Sequence, residues 1–364
     1  MLARAERDAA YIGITGTNGK STTTALISHI LNQIGKQAVV GGNIGAPVLS
    51  LAPMGGGGIY VLELSSYQLE LLPSATFDVM ILLNISPDHL DRHGGMDGYI
   101  AAKRRIFAGL TPERVAIVGI DDKASYAIYD DLATQGQPVV AVSVKRPVAG
   151  GVYVVDGWLI DDRGGNAKRI IDLSKVDTLP GHHNTQNTAV AYTAVSVIAA
   201  GDASIGDSAV IDGITTFPGL AHRQELVADI GGCRFINDSK ATNADAAAHA
   251  LACNDNIIWI AGGLAKAGGI GALEPFFPRI SHAFLIGEAA DDFAKTLDGK
   301  VPFTLSGELA AAVTAAAELA QSDPQPSVVL LSPACASFDQ FPDFEARGEA
   351  FRVTVMGLAA EGAV

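Results

Sequence analysis

The sequence predicts an α/β protein of two domains: a central P-loop-type, largely parallel sheet domain over residues 1–218, then a smaller Rossmann-like α/β domain over residues 219–364. Three observations carry this. An apolar run at residues 11–14 opens into Gly16-Thr17-Asn18-Gly19-Lys20-Ser21-Thr22 and then into a segment of helical period. Short apolar runs alternate with helix-length segments along most of the chain. The alternation breaks at Thr216-Phe217-Pro218-Gly219-Leu220 and restarts, which marks the domain boundary.

Residues 11–14 form the first strand, and the helix after the glycine loop places Leu26, Ile27, Ile30, Leu31 and Ile34 on one face. Gly35 stands where a helix C-cap glycine belongs. Residues 37–40 read as a short strand ending in Gly41-Gly42-Asn43-Ile44-Gly45, and the glycines from Gly55 to Gly58 form a loop. Strands at 59–64, 77–85 and 115–118, with helix-length segments between them, give a largely parallel sheet covered by helices. Over 138–171 the pattern changes to short strands with a turn at Asp156-Gly157, a small antiparallel addition. A helix at 184–200 returns to the main sheet. Beyond the boundary, strands are expected at 234–237, 257–261, 283–286 and 327–331, and the alanine-rich stretch 308–319 is a helix. No GxGxxG follows the first of these strands, and a ligand is expected at their C-terminal ends.

The 364-residue chain is 48% hydrophobic and 18% charged, which suits a globular protein and excludes a disordered one. Its formal charge of -14, with no basic stripe, argues against a nucleic-acid partner; Lys103-Arg104-Arg105 sits inside a helical pattern. Cys233, Cys253 and Cys335 are odd in number and unpatterned in spacing, as expected of buried thiols in a reducing compartment. No signal-peptide core opens the chain and no apolar run reaches membrane-spanning length, so a cytoplasmic protein without membrane insertion, and a monomer, is expected.

The chemistry clusters at strand ends. Gly16 and Gly19 free backbone amides to face an anion, Lys20 supplies a point charge, and the helix start favours phosphate. Ser21 offers a hydroxyl to magnesium. The spacing departs from GxxxxGK[ST], because Ile14 occupies the leading glycine position. Glu63 closes an apolar strand beside this loop, where a nucleotide site needs a metal-binding carboxylate. Asp88-His89 repeats the arrangement after the next strand. Lys103 reads from its own helix as a solvated side chain. In the second domain, Asn237-Asp238-Ser239-Lys240-Ala241-Thr242-Asn243 leaves a strand and enters a helix, a setting that can hold an anion. Ser332-Pro333-Ala334-Cys335-Ala336-Ser337-Phe338 also follows a strand, and nothing in the sequence pairs Cys335 with a histidine as a nucleophile would require.

Together these segments resemble the Mur ligase family, ATP-dependent amino-acid ligases of peptidoglycan precursor synthesis. The resemblance rests on GTNGKST at 16–22, ELSSYQLE at 63–70, NDSKATN at 237–243 and SPACASFDQF at 332–341, and it runs over nearly the whole chain from Tyr11. The family's loop does not require the leading glycine. The pattern is nearest to the D-glutamate-adding members, since the DNPR or DNPK of members adding diaminopimelate or lysine is absent. The resemblance implies that ATP phosphorylates the carboxylate of UDP-N-acetylmuramoyl-L-alanine and that D-glutamate attacks the acyl phosphate.

Position by position, the resemblance implies that Gly16, Thr17, Asn18, Gly19, Lys20, Ser21 and Thr22 hold the ATP phosphates. Two magnesium ions are implied, one on Ser21 and Glu63, the other on His89 and a carbamylated Lys103. Lys20, His89 and Lys103 would be the catalytic set. Asn184 and Asn187 match the adenine-side asparagines, Arg223 a nucleotide-binding arginine, and Asp238 a ribose contact. Asn43 would touch substrate, and Lys240, Thr242, Lys266, Ser337, Phe338 and Phe344 match the D-glutamate residues. Lys266 lacks the aspartate and glycine that often flank it in relatives. The resemblance also implies an N-terminal domain that binds the UDP part of the substrate, which this chain is expected to lack. Two alternatives remain at this stage: an ATP-dependent amide ligase of folylpolyglutamate synthase type, and a non-catalytic nucleotide-binding remnant.

Overall fold

The computed structural model describes residues 8–361 apart from positions 73, 177, 180, 201, 203, 204, 266, 267, 323 and 324. The chain divides into two compact units, Met1–Pro218 and Gly219–Val364.

In the first unit, strands β1 (Ala10–Thr15), β2 (Gln37–Gly42), β3 (Gly58–Glu63), β4 (Val79–Leu82), β5 (Val115–Gly119), β6 (Val139–Ser143), β7 (Val152–Val155), β8 (Trp158–Asp161) and β9 (Lys168–Asp172) form one sheet in the order 2-3-1-4-5-6-7-8-9. The helices are α1 (Lys20–Gln33), α2 (Ser66–Glu70), α3 (Leu90–His93), α4 (Met96–Arg104), α5 (Lys123–Thr134), α6 (His182–Ala199) and α7 (Asp207–Thr215). Strands up to β7 pair in parallel, and only the β7–β8 and β8–β9 pairs are antiparallel. The antiparallel addition is therefore shorter than the sequence suggests. The α5 crossover brings β6 back parallel to β5, and a change in strand length does not reveal direction.

Burial explains why these segments form these elements. The α1 stripe of Leu26, Ile27, Ile30 and Leu31 is fully buried, and α1 packs against α6 and α7. At about 1.5–3 kcal/mol for each fully buried aliphatic side chain, that face outweighs the modest helix propensity of the threonines at 22–24. Gly35 terminates the helix with φ 80° and donates to the Asn32 carbonyl at 3.1 Å. The opposite sheet face is closed by Tyr99, Ile106, Phe107, Ile128 and Leu132.

In the second unit, β10 (Glu225–Ile230), β11 (Cys233–Asn237), β12 (Ile257–Gly262), β13 (Ile280–Ile286), β14 (Phe303–Gly307) and β15 (Val328–Leu331) run in the order 10-11-15-12-13-14, with β10 alone antiparallel. Helices α8 (Ala244–Ala252) and α9 (Ala290–Leu297) lie against one face, and α10 (Leu309–Ser322) and α11 (Phe344–Glu361) against the other. Both strands missing from the sequence reading, β10 and β14, are half-exposed edges without a continuous apolar run. Trp259 is fully buried at the centre, its indole N–H donating to the Ser332 carbonyl at 2.8 Å.

Candidate active site

The phosphate loop joins β1 to α1. Gly19 has φ 83°, and a Cβ there would lie 2.1 Å from Asn187 Oδ1, so any other residue would strain the backbone and displace the Asn187 side chain. No side chain caps the start of α1. The Lys20 ammonium curls back over the loop, donating to the carbonyls of Gly16 at 3.0 Å and Thr17 at 2.9 Å. Thr22 is buried in the first turn of α1.

Glu63 pairs in register with Ile14 and Gly42 at the C-terminal end of β3. It is 2% exposed; Asn43 Nδ2 donates to its Oε1 at 2.9 Å, while its Oε2 is buried with no hydrogen-bond partner. Such an oxygen is costly unless a cation or donor meets it. No three His, Cys, Asp or Glu side chains converge among the described residues. A magnesium ion here would rest on one carboxylate, the Ser21 hydroxyl and ligand phosphates, a donor set this hard cation commonly accepts.

Lys103 departs from its solvated reading. It is 1% exposed, donates to the Gly16 carbonyl at 2.7 Å and lies 4.7 Å from the Tyr99 ring centre. Burial, reinforced by the Lys20 charge, pulls its amine down to about 7, against the upward effect of Asp88 and Glu63. Tyr99 bridges to the loop through Thr17 Oγ1 at 3.2 Å, and burial pushes its phenol up to about 12. His89 heads α3 at φ 51°, half exposed, 3.5 Å from Asp88 and between the rings of Tyr67 and Tyr99. Behind it, His93 joins the two ends of α2, to Ser66 Oγ and Glu70 Oε1, both at 3.0 Å.

At the start of α6, Asn184 and Asn187 are buried and bonded to each other at 3.1 Å. The first unit thus gathers the loop, Lys20, Asn43, Glu63, Lys103 and Asn187, with His89 at the rim.

The second unit has its own cluster where β11 and β15 end side by side. Asp238 accepts from Ser332 Oγ at 2.8 Å and the Gln224 amide at 3.2 Å; burial pushes its carboxyl up to about 7, and only the Arg223 charge and these bonds pull it back. Lys240 lies 3.7 Å over the Phe344 ring, and Thr242 donates from its amide to the Lys240 carbonyl. Ser337 is buried, whereas Phe338 is 69% exposed. Lys266 lies outside the described residues. Cys335 is fully buried, which removes it as a nucleophile.

Sequence reasoning missed Arg347. It is 1% exposed, and its guanidinium donates to the carbonyls of Ser239, Cys335 and Ala336 and to Ser239 Oγ, tying together the two loops that carry Lys240 and Ser337. Burial lowers it to about 10. A lone arginine near a helix start reads as solvated, and no local signal distinguishes this one. Asn84, two residues beyond β4, was missed because an asparagine in a connecting segment also reads as solvated.

The chain matches the family described as the Mur ligase middle domain over residues 14–195. It is 56% identical over 361 residues to the UDP-N-acetylmuramoylalanine--D-glutamate ligase of Rhodospirillum rubrum, a match covering 99% of this chain and 75% of the relative. With the ligase of the same name from Caulobacter vibrioides it shares 53% identity, covering 99% and 76%. Among solved structures, the UDP-N-acetylmuramate-alanine ligase from Thermotoga maritima matches with TM-score 0.66 at 17% identity, covering 98% of this chain and 77% of that one. A MurF ligase from the same organism, in complex with ADP, matches with TM-score 0.65 at 16% identity, covering 98% and 82%. At such identities the structures speak to the fold alone.

Proposed function

The chain belongs to the Mur ligase family, and from that membership we propose that it is an ATP-dependent ligase adding D-glutamate to UDP-N-acetylmuramoyl-L-alanine in peptidoglycan precursor synthesis. The choice of D-glutamate rests on relatives that are D-glutamate ligases by name at more than half identity, which also answers the folylpolyglutamate alternative. The reaction chemistry rests on one observation above all: the phosphate loop, the partnerless Glu63 oxygen and the buried Lys103 amine occupy one pocket of charge.

Transfer of the γ-phosphoryl group to a carboxylate brings two anions together, so the site must neutralise charge before it can do anything else. Lys20 and the loop amides meet the phosphates in this reading, and Arg223 adds a second cation to the nucleotide. Magnesium, when bound, would supply further neutralisation of the phosphate oxygens. Ser21 and Glu63 would hold one ion, and His89 with Lys103 the other. Attack of the substrate carboxylate on the γ-phosphorus releases ADP. Attack of the D-glutamate amine on the acyl carbon then expels phosphate, and the amine gives up its proton. Asn43 would orient the substrate, while Asn184 and Asn187 face the base and Asp238 accepts from the ribose. Lys240, Thr242, Lys266, Ser337, Phe338 and Phe344 form the D-glutamate site. Lys103 fits a carbamate role, because an amine near 7 is substantially neutral at physiological pH and can add CO2, losing a proton. The unpatterned cysteines and the need for ATP support a cytoplasmic setting.

The test is ADP release in the presence of UDP-N-acetylmuramoyl-L-alanine, ATP and magnesium. Release that requires D-glutamate, and is absent with folate and L-glutamate, is expected. Lys20→Ala should reduce it by at least about a thousandfold, as loss of a charge clamp on a transferring phosphoryl group does. Near-normal turnover in that variant would remove the phosphate loop from the mechanism.

A further inference from the structure

We propose that Asn84 is the positioning residue of the nucleotide site, its one carboxamide holding the phosphate loop and the first turns of α6 in a single register. The proposal rests on the nucleotide reading above. Asn84 Oδ1 accepts from the Asn18 amide at 2.9 Å, and its Nδ2 donates both to the Asn18 carbonyl at 3.3 Å and to Gln186 Oε1 at 3.0 Å. Its own carbonyl accepts from the Thr17 amide at 2.9 Å. One side chain therefore closes both backbone polar groups of Asn18, in the manner of a strand partner. It also reaches an α6 residue that lies between Asn184 and Asn187.

Gln186 is itself fixed. It is 8% exposed, and a Cβ at Gly119 would come within 2.7 Å of its Nε2 and 2.1 Å of the Leu83 carbonyl, so the ends of β4 and β5 close around it. Thr17 is pinned to the same segment, exchanging bonds with the Ser86 carbonyl at 3.2 Å and the Ser86 amide at 3.0 Å. A loop whose leading glycine position is occupied by Ile14 is thus held from outside, by the segment that follows β4. The Asn18 amide is committed to Asn84, which leaves phosphate contact to the amides from Gly19 onward. Phosphate and base recognition are coupled because one carboxamide sets the spacing between the loop and α6.

Calorimetric titration of ADP with magnesium into the full chain tests this. Absence of ADP binding by the unaltered protein would overturn the nucleotide reading itself, a failure separate from that of this proposal. Given binding, Asn84→Ala should weaken ADP about ten- to a hundredfold, as expected for two or three lost hydrogen bonds. The KM for ATP should rise in parallel, with kcat at saturation within about threefold and the KM for D-glutamate unchanged. Gln186→Leu, which severs only the α6 link, should weaken ADP by a smaller factor and add nothing in the Asn84→Ala background. Unchanged ADP affinity in folded Asn84→Ala, or additive effects of the two substitutions, would overturn the proposal. If Asn84→Ala does not fold, Gln186→Leu decides: normal ADP affinity in that variant refutes the coupling, and weakened affinity with retained kcat supports it.

Discussion

Lys103 and Asp238 are the two residues whose chemistry is most altered by where they sit. The Lys103 amine is brought down to about 7; in the proposed carbamate role it would take up CO2, and the product would be an anion beside Glu63. Carbon-13 NMR in labelled bicarbonate should show one carbamate signal that Lys103→Ala lacks. The same variant should lose activity that bicarbonate cannot restore and a short-chain carboxylic acid partly restores; full activity without any carboxylate would rule the carbamate out. Asp238 moves the other way, up from 3.8 to about 7. Between those values the folded state binds more protons than the unfolded one, so stability falls as pH rises through that window. The burial cost is complete above about pH 7, on the order of 4 kcal/mol. Asp238→Asn should therefore gain on the unaltered protein in thermal midpoint between pH 4 and pH 8. An equal difference at both pH values would contradict the shift.

Among the elements, the junction of β1, the phosphate loop and α1 is tightly constrained. Gly19 combines a left-handed φ of 83° with a Cβ position 2.1 Å from Asn187 Oδ1. Gly19→Ala adds strain of about 1–2 kcal/mol from the backbone alone and also displaces Asn187 from the loop. ADP affinity should fall by at least about tenfold, with a lowered thermal midpoint; retention of both would mean that the loop is more permissive than its geometry indicates. In the second unit, Arg347 performs the comparable task without a counter-anion, satisfying its donors on three loop carbonyls and one hydroxyl. Replacement by lysine would lose the planar fork that reaches several acceptors at once.

Each of the two units carries its own sheet and its own buried core, one around Ile12, Val61 and Ile81, the other around Trp259, Leu285 and Leu330. Cores that do not share residues are expected to melt as separate cooperative units. Scanning calorimetry should resolve two transitions, one for each unit. A single transition fitting one van't Hoff enthalpy would show the whole chain to be one cooperative unit.

The sequence by itself determined the αβ alternation, the phosphate loop and the family, because those signals are local: a period of 3.6, a run of apolar residues, a glycine pair before a lysine. It placed most strands, and it lost β10 and β14, whose half-exposed edges carry no apolar run. Tertiary structure alone decided which polar groups are buried together. Lys103 meets the Gly16 carbonyl across 87 positions, Asn84 meets Asn18 across 66, and Arg347 meets Ser239 across 108. A lysine, an asparagine and an arginine look solvated in their own segments. Their bonds, and the proton affinities of the lysine and the arginine, are set by partners and desolvation that only the folded chain supplies.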